Sequence, residues 1–147
     1  MIVFEFLLDE GHAHGLGHMT VRGPGEVSSQ GRTPDASMML FLSIGELVSA
    51  AHRLMTTPNL PAARFDALDS SFGLRFERSR ERKKQGQVAV IHGTTTIAVV
   101  SQDELREALV ASVVPFTRKH WRTIASDPAV LDSMRSALRD LGQPGSG

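Results

Sequence analysis

The sequence predicts an α+β fold, a mostly antiparallel sheet of five or six strands in two β-β-β-α halves, with helices packed on one face and an extra C-terminal helix. Short segments rich in β-branched and aromatic residues, separated by stretches with Gly or Pro, indicate strands joined by turns. Longer segments with apolar residues three and four positions apart indicate helices. Each half of the chain has several segments of the first kind followed by one of the second kind.

The first half opens with three strand-forming segments. Residues 2–8, IVFEFLL, and residues 18–23, HMTVRG, alternate in the manner of strands that turn one apolar face to a core. The loop 23–37 is long for a compact domain, and its EVSS stretch predicts a short edge strand. The continuous apolar run over 38–42 predicts a buried strand, and the alternative is that it forms the start of a longer helix.

A helix is predicted over residues 44–56, directly after that run. Ser43 and Glu46 have the spacing of a capping box, in which each side chain satisfies a backbone donor near the start of a helix. Ser101 and Glu104 repeat this spacing 58 residues later, again after a β-branched run. The repeat predicts a second helix that begins just after Ser101.

The second half repeats the plan of strands before a helix. The segments 71–78, 87–91 and 95–100 have strand composition and alternation. Between the last two lie His92 and Gly93, which have the length and type of a tight two-residue hairpin turn. The sequence therefore predicts three strands ahead of the second helix.

Breaking residues mark the remaining boundaries. Residues 56–70, TTPNLPAARFDALDS, are predicted to be a connector because their prolines disfavour both helix and sheet. Pro115 is expected to end or kink the second helix. A final helix is predicted from Asp127 as its cap and Pro128 as its first residue to Gly142 as its stop.

The length of 147 residues is typical of one domain. We expect a single α+β domain over 1–142, with halves 1–57 and 70–115 that could be a structural duplication or could have acquired similar capping signals independently. Residues 143–147 are expected to form a disordered tail.

The composition excludes several classes of function. The chain has no cysteine, so disulfides, thiolate nucleophiles and cysteine-based metal sites are excluded. Sixteen basic residues balance sixteen acidic ones, so the net charge supplies no long-range attraction to a polyanion. The apolar start lacks a basic region and is too short for a signal peptide, and no apolar run approaches the roughly 20 residues that span a bilayer. We expect a cytoplasmic protein with no membrane partner.

A histidine-rich stretch offers a candidate metal site. His12, His14 and His18 lie among glycines just after Asp9 and Glu10. In an extended segment the first two imidazoles point the same way, roughly 7 Å apart at Cα, a spacing compatible with one Zn or Ni ion. The alternative is a solvated glycine-rich turn whose histidines bind nothing. The sequence identifies no second half of such a site.

A basic hairpin is the second candidate site. Several cations cluster near a turn with one nearby acid, a density that suits phosphate contacts with nucleic acid or contacts with an acidic protein partner. The alternative is a charged tip that keeps the hairpin soluble and its edge unpaired. The candidate residues are Arg75, Arg78, Arg80, Arg82, Lys83 and Lys84.

These observations favour a small non-enzymatic protein-binding or regulatory module, immunity-like or self-associating, because a complete core is predicted without any assembled catalytic set. Binding is expected through the open sheet face, the loop 23–37 or a self-association surface. Two alternatives remain open, a metal-binding protein or metalloenzyme that uses the histidines and a nucleic-acid-binding protein that uses the hairpin 75–84.

Overall fold

The computed structural model describes residues 1–9, 15–31, 36–79 and 86–143. Within these residues the chain forms eight strands, in two antiparallel four-stranded sheets, and four helices. The strands are β1 (Val3–Leu8), β2 (Leu16–Arg22), β3 (Glu26–Ser28), β4 (Met38–Met39), β5 (Ala62–Asp66), β6 (Gly73–Arg78), β7 (Gln87–His92) and β8 (Thr95–Ser101). The helices are α1 (Leu40–Thr56), α2 (Gln102–Lys119), α3 (Trp121–Ala125) and α4 (Pro128–Asp140). The α+β class and the antiparallel pairing are therefore confirmed, whereas the number and layout of the strands differ from the prediction.

The first sheet has β2 at its centre. β1 pairs with β2 along its whole length, from Val3 opposite Arg22 to Leu8 opposite Gly17. On the other side of β2, β3 pairs with its C-terminal end and β4 with its N-terminal end. Within the part of the chain that the structure describes, β1 is therefore an edge strand of this sheet.

The second sheet is a meander in the order β5-β6-β7-β8. The hairpin between β7 and β8 is confirmed, with its turn displaced by one residue: His92 pairs with Thr95, so the two turn residues are Gly93 and Thr94. Gly93 has φ +60°, a conformation that favours glycine and is typical of such a turn.

Backbone hydrogen bonds join the two sheets. The N–H of Gly25 donates to the carbonyl of Ile97 at 2.8 Å, and the N–H of Met39 donates to the carbonyl of Leu68 at 3.0 Å. Gly23 lies at the same junction, where a Cβ atom would come within 2.9 Å of the Ile97 oxygen. Close backbone approach of this kind requires glycine.

The helices pack against the buried side of the sheets. α1 lies against β2 and β5, α2 lies against β1, and α4 packs on α1. Both α1 and α4 direct an apolar stripe inward, as the three- and four-residue spacing of their apolar positions predicts. The largest fully buried side chains are Phe4, Met19, Met38, Leu40, Ile44, Leu47, Leu54, Phe65, Phe72, Phe76, Ile97 and Leu105.

The first helix begins earlier than predicted. The buried strand expected over 38–42 is reduced to two residues, and α1 starts at Leu40, whose N–H is bonded to the carbonyl of Gly15 at 2.9 Å. Ser43 consequently lies inside the helix, where its buried hydroxyl accepts a hydrogen bond from the N–H of Leu68. The predicted capping box at Ser43 is wrong because this serine satisfies a donor outside its own helix.

The connector predicted over 56–70 contains a strand. β5 occupies Ala62–Asp66 and pairs with β6, with buried Ala63 and Phe65 on its inner face. The prolines at 58 and 61 precede this strand, so they do not interrupt its backbone pairing.

The later helix boundaries agree more closely with the sequence. Ser101 caps α2 by accepting a hydrogen bond from the N–H of Glu104 at 3.1 Å. Asp127 caps α4, Pro128 is its first residue, and Gly142 follows its end with φ +74°. Pro115 lies within α2, which continues to Lys119. Proline in this position does not end the helix.

Candidate functional site

The histidine-rich stretch falls mostly outside the described residues. His12, His14 and Glu10 lie in the segment 10–14, so the structure does not test whether they converge. His18 lies on β2 and is 8% exposed. The metal site therefore stays a prediction. Of its three candidate histidines, His18 is the one whose surroundings the structure describes.

His18 lies between a serine and an aspartate. Its Nδ1 atom is 3.0 Å from Oγ of Ser29, and its Nε2 atom is 3.9 Å from Oδ2 of Asp9. Ser29 follows β3 and is completely buried, and its hydroxyl oxygen also accepts the N–H of Met19 at 3.0 Å. The order Ser, His, Asp resembles a nucleophilic triad, but the hydroxyl has no access to a substrate from solvent. Its geometry supports a positioning role for Ser29 within the fold.

Metal ligation has no support from the described part of the chain. Among residues 1–9, 15–31, 36–79 and 86–143 no three His, Asp or Glu side chains come close enough together to hold an ion. The Nδ1 atom of His18 already has Ser29 as its partner, and its Nε2 atom lies beside Asp9.

The basic hairpin is described at its base. Arg78 turns toward the core side, where its guanidinium donates to the carbonyls of Leu54, Thr57 and Leu60. These carbonyls lie at and just beyond the end of α1, where unsatisfied acceptors and the negative end of the helix dipole favour a cation. Arg78 therefore caps α1 and is not available for phosphate contacts in this conformation.

Arg75 has a different environment. Its Nε atom is 3.0 Å from Oε2 of Glu77 on the solvent-exposed face of β6. An exposed ion pair of this kind contributes little to stability and still allows outside contacts. The remaining members of the candidate set, Arg80, Arg82, Lys83 and Lys84, lie outside the described residues, so the nucleic-acid interface stays a prediction.

The outer face of the first sheet, the side away from the helices, carries exposed apolar residues along β1. Val3, Glu5 and Leu7 point outward, while Phe4 is buried on the opposite face. Leu7 is 51% exposed, Val3 is 39% exposed and the adjoining Met1 is 89% exposed. An edge strand with apolar side chains on both faces is typical of a strand that becomes covered.

The backbone of β1 has groups at the sheet edge that no described strand pairs with. The N–H of Asp9 donates to the carbonyl of Leu16, so Asp9 and Leu16 form a hydrogen-bonded pair that continues the β1–β2 ladder. Because hydrogen-bonded pairs alternate in an antiparallel ladder, residues 3, 5 and 7 also bond to β2. The N–H and C=O groups of Phe4, Phe6 and Leu8 therefore point away from β2, and among the described residues no strand pairs with them.

The other side of β2 gives the same alternation independently. The N–H of Ser29 donates to the carbonyl of Met19, so Met19 directs its backbone groups toward β3. The neighbouring residues His18 and Thr20 must then direct theirs toward β1, opposite Leu7 and Glu5. The assignment of Phe4, Phe6 and Leu8 to the open edge follows from both observations.

Several of the usual devices that prevent strand pairing are absent from β1 itself, and α2 lies against the inner face of the strand. β1 contains no Pro, no Lys and no register irregularity against β2, and its charged residue is Glu5. Glu5 is held by Arg22 at 2.8 Å, and Arg22 also contacts Glu26 at 3.3 Å. We define the β1 edge surface as Val3–Leu8 together with the outward side chains beside it.

A shallow depression adjoins this surface. It has a volume of about 430 Å³ and is lined by Met1, Val3, Glu5, Arg22, Gly23 and Pro24. Its lining combines exposed apolar side chains with the ion pair between Glu5 and Arg22. A strand added at β1 would place alternate side chains on this face.

The sequence predicts β1 as a strand but does not show that this strand lies at the edge of a sheet. The apolar residues Val3 and Leu7 indicate that the second face of β1 becomes covered, because a strand whose second face meets solvent would carry polar residues there. Strand order, which makes β1 an edge, depends on the pairing of β2 with both β3 and β4 and is not visible in the residues of β1.

In the described part of the chain, no helix combines the length and the apolar character needed to cross a bilayer. Searches against protein-family models, curated proteins and solved structures find no match to this chain.

Proposed function

We propose that this protein is a non-enzymatic protein-binding module that accepts a strand from a protein partner at its β1 edge surface. The observation that carries this proposal is the combination of outward backbone groups at Phe4, Phe6 and Leu8 with exposed apolar side chains at Val3 and Leu7. Strand addition uses both features, since backbone hydrogen bonds supply affinity and alternate side chains supply specificity.

The buried hydroxyl groups of Ser29 and Ser43 favour a binding function over a catalytic one. The Asp9, His18 and Ser29 arrangement buries its hydroxyl completely. Ser43, a second buried hydroxyl, is bonded to the backbone of Leu68. Both hydroxyl groups act as hydrogen-bond acceptors that hold loops in place, whereas the β1 edge surface faces solvent.

Site-specific photo-cross-linking tests this function. A photoreactive amino acid replaces Leu7 in cells that naturally produce the protein, and a matched variant carries the same group in place of Val99. Val99 is 40% exposed on β8, so it provides comparable access to solvent away from β1.

We expect protein adducts from position 7 and none, or far fewer, from position 99. Mass spectrometry identifies the attached protein and the residue that is linked. Equal adduct yields from both positions, or none from either, would contradict the proposal.

A further inference from the structure

We infer that the partner of the β1 edge surface is an extended segment of a different protein, with a Lys or Arg opposite Glu5 and an apolar residue two positions away on each side. This inference rests on the proposed function and specifies the chemistry of its partner. Two features carry it, the charges on the outer face of the first sheet and the helix that lies against the inner face of β1.

The outer face of the first sheet carries a row of alternating charges that ends at β1. Arg22 on β2 lies between two carboxylates, with Glu5 on β1 at 2.8 Å and Glu26 on β3 at 3.3 Å. Because two anions share one cation, the three residues together have a net negative charge. The Glu5 side chain is 46% exposed and is the member of this group on the edge strand. A cation beyond Glu5 would continue the alternation.

The backbone of β1 brings an added side chain close to Glu5. Since Glu5 uses its own N–H and C=O groups for β2, it forms a non-hydrogen-bonded pair with the residue opposite it in an added antiparallel strand. Side chains are closest in pairs of this kind, and opposite charges there are stabilising. Lys or Arg is therefore the complementary residue at this position.

The neighbours of Glu5 on the same face favour apolar side chains. Val3 and Leu7 lie two positions to either side of it and are 39% and 51% exposed. Alternate residues of an added strand point to this face, so the residues opposite Val3 and Leu7 would each cover an exposed apolar side chain. The complementary pattern is apolar–x–basic–x–apolar. It reads the same from both ends, so it fits in either strand direction.

The inner face of β1 limits the form of the partner. α2 lies against β1, and the rings of Phe116 and Phe6 are 5.5 Å apart between centroids. Adjacent strands are about 4.8 Å apart, whereas packed helices need about 8–10 Å between their axes. A partner strand backed by its own helix on this side would therefore bring two helices too close together. An extended tail or linker, with no helix on that side, fits the edge.

A second copy of this chain meets both requirements poorly. Its β1 is backed by α2 in the same way. The antiparallel register that places Val3 of each copy opposite Leu7 of the other also sets the two Glu5 carboxylates directly opposite each other. Like charges in that position are destabilising. The β1 edge surface therefore favours a basic segment of another protein over its own copy.

Two synthetic peptides that differ only in their central residue test this chemistry. The Lys peptide is Thr-Val-Thr-Lys-Thr-Val-Thr and the Glu peptide is Thr-Val-Thr-Glu-Thr-Val-Thr, both with an acetylated N-terminus and an amidated C-terminus. Isothermal titration against the full chain measures both dissociation constants. We expect the Lys peptide to bind at least about fivefold more tightly, because its central residue is attracted to Glu5 and that of the Glu peptide is repelled.

Removing the Glu5 carboxylate tests whether this group causes the preference. In Glu5→Gln the two dissociation constants should become nearly equal. Glu77→Gln is the matched control, because Glu77 is also an exposed carboxylate paired with an arginine, Arg75, but lies on the second sheet. This variant should keep the preference of the natural protein. A preference that persists in Glu5→Gln, equal binding of the two peptides by the natural protein, or binding of neither peptide would overturn the inference.

Amide hydrogen exchange followed by NMR locates the bound peptide. The N–H groups of Phe4, Phe6 and Leu8 point away from β2, so the Lys peptide should slow their exchange by pairing with them. Unchanged exchange at these three positions while the peptide is bound would overturn the inference.

The outcomes separate the inference from the proposed function. Adducts from position 7 that fall on a segment without the apolar–x–basic–x–apolar pattern, or on a second copy of this chain, overturn the inference and support the proposed function. An absence of adducts from position 7 overturns both. Adducts on a segment of another protein with this pattern, together with a preference for the Lys peptide that Glu5→Gln abolishes, support both.

Discussion

The buried hydroxyl of Ser29 lies 3.0 Å from the Nδ1 atom of His18, and this contact ties the end of β3 to the centre of β2. The same oxygen accepts the N–H of Met19. Replacing Ser29 leaves two buried polar groups without this partner. Unsatisfied buried groups cost about 1–3 kcal/mol each.

We therefore expect Ser29→Ala to lower the free energy of unfolding by about 2 kcal/mol, measured by urea denaturation. Ser126→Ala is the control, because that exposed hydroxyl donates to the nearby Thr123 carbonyl and its loss should cost about 0.5 kcal/mol or less. Equal effects of the two substitutions would contradict a structural role for Ser29.

Arg78 is expected to matter more for stability than its neighbour Arg75. Arg78→Ala leaves the carbonyls of Leu54, Thr57 and Leu60 without their cation, and we expect a loss of about 2–3 kcal/mol. Arg75→Ala removes an exposed pair with Glu77 and should cost less than about 1 kcal/mol. Thermal and urea unfolding of both variants measure the difference.

A lysine at position 78 refines this prediction. A single ammonium group lacks the planar fork of arginine, so Arg78→Lys should recover only part of the lost stability. Full recovery would show that charge at the end of α1, and not the set of three hydrogen bonds, accounts for the effect.

The ionisation of His120 makes stability depend on pH. Burial lowers the pKa of His120 below its ordinary value of 6.5, and the neighbouring Lys119 lowers it further. The ring packs 4.5 Å from Phe116 and 6.1 Å from Phe41, measured between centroids. The folded state therefore favours the neutral imidazole. The contribution of the neutral His120 ring to the free energy of unfolding is complete above the unfolded pKa of 6.5 and declines as pH falls below that value.

His120→Phe removes the titration and keeps an aromatic ring in this cluster. We expect the loss of unfolding free energy between about pH 7.5 and about pH 5.5 to be smaller in this variant than in the natural protein. NMR titration of the His120 ring should show the lowered pKa directly. An ordinary or raised pKa, or an equal loss in the variant, would contradict this prediction.

The two predicted capping boxes should respond differently to substitution. Ser101→Ala removes the cap of α2 and should cost about 1 kcal/mol, whereas Ser101→Asp, an equally good cap, should be close to neutral. Ser43→Ala leaves the Leu68 N–H without its acceptor, and Ser43→Asp additionally buries a charge. We expect aspartate at position 43 to destabilise the protein far more than alanine does. Unfolding measurements on the four variants test the contrast.

This contrast shows why sequence reasoning succeeds at one serine and fails at the other. Capping at Ser101 is a local interaction with Glu104, so the spacing of the residues contains it. At Ser43 the partner is Leu68, 25 residues away, and no local pattern identifies it. The start of α1 likewise depends on Gly15, which accepts the hydrogen bond from Leu40 across the fold.

The same distinction applies to the candidate sites. Alternation in residues 2–8 predicted a strand with a buried face, and β1 has that face. Its position at an edge results from long-range pairing that the sequence of β1 does not encode. Similarly, the cluster of cations near residue 78 was visible, but the use of Arg78 to cap α1 required the packing of β6 beside that helix end.

The bond between Gly25 and Ile97 has a consequence for how the chain folds. Most strand pairs in both sheets join neighbours in sequence, so each hairpin can form early and at low entropic cost. The Gly25–Ile97 junction instead connects residues 72 positions apart (97 − 25 = 72). We expect its formation to follow the rate-limiting barrier, so that substitutions at Gly25 accelerate unfolding and leave the refolding rate nearly unchanged.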